Sequence, residues 1–121
     1  MTISVFGNSI LKSDSLLISL LPQLKTQFPQ HQFIHQDPTE NLLIPKGEWS
    51  IIDVAEGINK VTIFDNLDHF VRTKSLTVHD YDLYLDLKLK QKVGQLPKIK
   101  IIAIPQFMKK KDVLEALGKI I

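Results

Sequence analysis

The chain has 121 residues and no cysteine, and its 15 basic and 13 acidic side chains leave a net charge of +2. That length fits one domain, residues 1–121, able to bury about two-thirds of its unfolded surface without a disulfide or a structural metal. The missing thiols exclude cysteine nucleophiles, cysteine-type zinc sites and disulfide staples, and the interspersed charges leave no nucleic-acid footprint.

Residues 2–6 form a short β-rich run stopped by Gly7-Asn8. Residues 14–28 place Leu17, Leu21, Leu24 and Phe28 at helical spacing, with Leu16 and Leu20 widening the stripe. Pro22 is expected to kink that helix or to begin a second segment. Residues 31–35 are more polar and suit a sheet edge, and Asp37-Pro38-Thr39 then turns the chain. Residues 49–54 read as a buried strand bounded by Lys46-Gly47 and Glu56-Gly57, and residues 60–64 as a short strand exposed on one face. Residues 80–93 read as a helix with Tyr81, Leu85, Leu89 and Val93 in one apolar row, Asp82, Asp86 and Lys90 in a wet row beside it, and Gly94 as its C-terminal cap. Residues 99–104 are a near-continuous aliphatic run, which predicts a strand covered on both faces, and residues 109–120 supply the closing helix.

This order predicts an α/β fold with a mostly parallel sheet between helix layers. The densest apolar stretch, residues 16–21, is far shorter than the roughly 20 residues of a membrane span. The amino terminus carries no basic-then-apolar leader, so a soluble, cytoplasmic protein is expected, with no membrane and no nucleic acid among its partners.

In such sheets ligands bind in the crevice beyond the carboxyl ends of the parallel strands. Three residues with ligand chemistry fall at predicted positions on that edge. Asp14 stands where the first helix begins, Asp53 closes an Ile-Ile-Asp strand, and His79 precedes a helix. Taken singly, Asp14 reads as a first-turn acid stabilised by the helix dipole, Asp53 as a turn acid, and His79 as an ordinary helix-start residue. Their joint placement on one edge is what capping preferences do not demand, and two carboxylates with an imidazole suit a borderline divalent ion.

The run Gly7-Asn8 with Leu11 and Asp14, the strand Ile51-Ile52-Asp53-Val54, Thr77-Val78-His79-Asp80 before a leucine-rich helix, and Leu96-Pro97 before residues 99–104 together resemble the nickel-iron hydrogenase maturation endopeptidases. The resemblance covers about residues 2–106. It implies a five-stranded sheet with one antiparallel strand in a three-layer sandwich. It also implies a cytoplasmic peptide-bond hydrolase, monomeric, that removes the C-terminal extension of a hydrogenase large subunit precursor after nickel insertion. On this likeness Asp14, Asp53 and His79 are the metal and catalytic residues, and Gly7 and Asn8 position the substrate. Nickel arrives with the substrate, zinc or cadmium can take its place, and no organic cofactor is involved.

The chain departs from that pattern at Ser13, where the family usually has an acid, and at Ser15, Leu16 and Leu17, where it has glycines. Two other classes remain open. One is a non-catalytic metal- or partner-binding module of the same fold. The other is a flavodoxin-like binder of small molecules, against which Asp14 argues by repelling phosphate. Asp65, Asp68 and His69, and His35 with Asp37, also carry ligand chemistry, but in polar turn regions that read as solvated surface. Lys109, Lys110 and Lys111 open a helix where positive charge opposes the dipole. No Gly-x-Ser-x-Gly elbow and no dinucleotide fingerprint is present.

Overall fold

The computed structural model describes residues 2–6, 15–36, 43–55, 57–68 and 78–121, with the backbone alone for residues 15 and 78–83. Parallel pairing organises it. Strand β1 (Thr2–Phe6) leads to helix α1 (Ser15–Gln27), then β2 (Gln32–Gln36), β3 (Glu48–Ala55) and β4 (Thr62–Phe64). Helix α2 (Val78–Lys92), β5 (Lys98–Pro105) and helix α3 (Lys110–Ile120) complete it. The five strands lie in the order β2-β1-β3-β5-β4, all parallel except β4, which runs antiparallel to β5. The register sets Val5 beside Ile52, and Asp53 beside Ala103.

Alternation along the strands sorts the apolar side chains onto two faces. Ile3, Val5, Ile52, Val54, Ile102 and Ile104 meet Leu17, Leu20 and Leu24 of α1 and Val113 and Leu117 of α3. On the other face Phe6, Trp49, Ile51, Ile99, Ile101 and Ala103 meet Tyr84 and Leu87 of α2, with Leu67. The result is a three-layer α/β sandwich. β3 and β5 are buried on both faces because helices cover both, which is why their sequences run almost without polar breaks. The edge strands are more polar: β2 alternates, and β4 leaves Ile63 half exposed. Among the described residues no helix is long and apolar enough to cross a membrane.

The helices narrow one sequence expectation and overturn another. α1 is a single helix with Pro22 inside it, so no second segment begins there. The proline cannot donate to the Ile18 carbonyl, but it sits on the exposed side while the leucine stripe stays packed. Its own carbonyl accepts the Thr26 hydroxyl at 3.0 Å. In α2 the expected apolar row is wrong: Leu85, Leu89 and Val93 are 48%, 57% and 67% exposed, whereas Tyr84 and Leu87 are buried. The leucines at 83, 85, 87 and 89 recur every second residue, and a helix of 3.6 residues per turn cannot bury them all. Its rotation follows Tyr84. Gly94 ends α2 as expected, at φ 73°, with Gln95 N–H donating to the Lys90 carbonyl at 2.8 Å and Gly94 N–H to that of Gln91 at 3.2 Å.

Neighbouring substitutions in α1 should act with opposite sign. Leu24→Ala, which empties fully buried volume, should cost about 2–5 kcal/mol of unfolding free energy. Pro22→Ala should restore a helix hydrogen bond and gain about 1–2 kcal/mol. Urea midpoints of the two variants measure both.

Candidate functional site

Asp53 sits on β3 two residues before its end, on the face covered by α2. It is 4% exposed, and among the described residues it is the one buried acidic or basic side chain, tyrosine aside. An acid in an apolar layer costs several kcal/mol unless its oxygens find donors. Here Oδ1 accepts the Val54 N–H at 2.9 Å and Oδ2 accepts the Tyr84 hydroxyl at 3.0 Å. Sequence reasoning missed Tyr84. The signal available was that a buried strand acid requires a donor, and the following helix carried one at the right distance along the chain.

The other expected site residues are less fully described. α2 leads through a short connection into the start of β5, so it runs against the parallel strands and its first turn points toward their carboxyl ends. His79 belongs to that first turn, about 7 to 8 Å of helix rise before Tyr84, and its side chain lies outside the described residues. β1 ends at Phe6, one residue past the Val5–Ile52 pair with β3, and α1 begins at Ser15. Gly7, Asn8 and Asp14 lie between them, outside the described residues. Among the described residues no three His, Asp or Glu side chains gather around one ion position.

The alternative ligand groups behave as surface. Asp68 pairs with Lys88 at 2.8 Å with both side chains substantially exposed, a contact worth little in stability. Asp65 and His35 are exposed as well, and His69 and Asp37 lie outside the described residues.

No protein-family model and no curated protein sequence matches the chain. Two solved structures share its fold from end to end. One is the hydrogenase maturating endopeptidase HybD from E. coli, with a TM-score of 0.61 at 12% identity over 99% of this chain and 90% of that one. The second is an uncharacterized protein from Wolinella succinogenes, with a TM-score of 0.57 at 16% identity over 98% and 92%. At such identities the likeness defines the fold: a five-stranded mixed sheet, one strand antiparallel, between helices.

The Asp53–Tyr84 pair should be measurable. Tyr84→Phe removes one donor to a buried carboxylate and should cost about 1.5–3 kcal/mol. In a double-mutant cycle with Asp53→Asn, the two losses should fail to add by at least about 0.5 kcal/mol.

Proposed function

We propose that this chain is an endopeptidase of the hydrogenase-maturation type, cutting the C-terminal extension from a nickel-iron hydrogenase large subunit precursor once nickel is in place. Asp14, Asp53 and His79 would hold the metal that the substrate brings, and Gly7 and Asn8 would position the substrate chain. The observation that carries this reading is Asp53. A carboxylate in the middle of an apolar layer does little for folding that a hydrophobic residue would not do better. Its bond from Tyr84 has the character of the outer hydrogen bonds that orient metal-ligating carboxylates. The overlap with HybD across 99% of the chain adds the fold in which to look for such a site.

The donor set fits the task. Two carboxylates and an imidazole suit nickel, zinc or cadmium and leave at least one coordination position for the substrate. The substrate's nickel would supply Lewis acidity. The protein's part is to orient Asp53 through Tyr84 and Val54, and to keep bulk water from its strand side by burial.

A second reading, a non-catalytic metal- or partner-binding module, is favoured by the same acid's 4% exposure and by the protein donors on both of its oxygens, since a purely structural carboxylate is held that way. Incubation with the large subunit separates the two. The parent protein should shorten the nickel-loaded subunit and leave the nickel-free one intact by mass, and Asp14→Asn and Asp53→Asn should each abolish the cut. Binding of the loaded subunit without a change of mass would establish the module instead.

Metal alone gives a further check. At a hundredfold excess over its dissociation constant, nickel, zinc or cadmium should stabilise the parent by about 2.7 kcal/mol through mass action. The gain should be absent in His79→Ala, and a melting temperature unmoved by all three ions would count against the shared site.

A further inference from the structure

Beyond the last paired residues of the two central strands, Ala55 and Pro105, the chain opens into a cleft of about 450 Å3 walled by residues 57–59 and 105–108. Gly57 turns one wall away from β3 at φ 80°, a conformation that side-chain-bearing residues rarely adopt. The other wall is closed by the Met108 N–H donating to the Pro105 carbonyl at 3.2 Å. Phe107 stands in that wall 89% exposed, more than any other large apolar side chain among the described residues.

Lys109, Lys110 and Lys111 follow directly, all exposed, and among the described residues no carboxylate pairs with them. Fold stability accounts for neither feature. Phe107 adds nothing to either apolar layer. The lysines oppose the dipole of α3, and Lys109 takes the N-cap position without a side-chain capping bond. An apolar anchor beside lysines that no described carboxylate pairs with suits an occupant that is apolar and acidic together.

We propose that this cleft docks an extended acidic segment of a polypeptide partner, with one apolar side chain seated against Phe107 and carboxylates set against Lys109, Lys110 and Lys111. A nucleic acid fits less well: the basic run is only three residues long, Asp112 and Glu115 follow it on the same helix, and the whole chain carries only +2. The cleft begins about 7 Å along β3 from Asp53, by the rise of two strand residues. Identifying the partner with the cleaved subunit rests on the endopeptidase reading; the docking itself does not.

The test uses the full chain and a short fluorescein-labelled peptide of alternating aspartate and leucine, read by anisotropy. Controls replace aspartate by lysine, or leucine by serine. The parent should bind the acidic apolar peptide at least tenfold tighter than either control, and more weakly as salt rises. Phe107→Ala and the triple change K109E/K110E/K111E should each lose at least tenfold with no fall in melting temperature, and the triple change, which suits the α3 dipole, should melt no lower than the parent. Equal binding of the lysine control, tighter binding of a labelled uridine oligomer, or variants that bind like the parent would each overturn the proposal. Cleavage assays keep the two readings apart. If the parent cuts the nickel-loaded subunit, Phe107→Ala should raise KM with kcat nearly unchanged; parent-like KM there refutes the cleft and spares the endopeptidase reading. Peptide binding by a parent that cuts nothing refutes the endopeptidase reading and spares the cleft.

Discussion

The indole N–H of Trp49 donating to the Ser4 hydroxyl at 2.9 Å is the bond around which the α2 side of the sheet is arranged. Trp49 is completely buried, its ring meets Phe6 edge to face at 6.0 Å, and its one polar atom needs an acceptor in a place without water. Ser4 provides it and also accepts the Gln36 amide at 2.8 Å, so one hydroxyl joins β3, β1 and β2 across the sheet. Gln36 then clasps the backbone of Leu43, accepting its N–H at 2.7 Å and donating to its carbonyl at 3.1 Å. That clasp brings residues 43–45 over the two strands away from α2 and leaves a cavity of about 170 Å3 beneath them. Buried polar groups here come as a connected set, each member satisfying the next, which is the condition under which such a network rigidifies a core.

The same constraint governs Asp53 four residues further along β3, on the same face. Each polar group in the doubly covered centre of the sheet must be answered from a neighbouring element, Ser4 for Trp49 and Tyr84 for Asp53. Tyr84 thereby sets the rotation of α2 and orients a carboxylate near the strand's end. One phenol joins the packing of a helix to the geometry of the candidate site. The exposed leucine row of α2 is the other face of that choice: a helix turned to bring a hydroxyl to Asp53 turns Leu85 and Leu89 outward.

Much of the architecture was legible in the sequence because periodicity reports directly on burial. Residues 99–104, aliphatic at nearly every position, announced a strand covered on both faces; the polar residues 31–35 announced an edge; Gly94 announced a helix end. α2 was not legible in the same way, since its leucines alternate with a strand-like period and the tie-breaker was a tertiary hydrogen bond. Pro22 begins no second segment, as packing of Leu17, Leu20 and Leu24 outweighs one lost backbone bond. Of the candidate site, Asp53 could be singled out by ending an aliphatic strand, but its depth and its partner are properties of the folded sheet. Phe107 and the cleft beyond β5 left only a faint trace, three lysines at the wrong end of a helix.

The strand order also has a kinetic side. Among the described residues no strand pairs with its neighbour in sequence through a tight hairpin; even the nearest pairing joins Thr2 to Gln32, and the central one joins Glu48 to Lys98. The chain must therefore close long loops before any strand contact repays them, which places this small protein among the slower folders of its size. Until β5 arrives, β3 presents an unpaired apolar edge to whatever else is in solution, so the interval between synthesis and closure of the sheet is when this chain is most prone to aggregate.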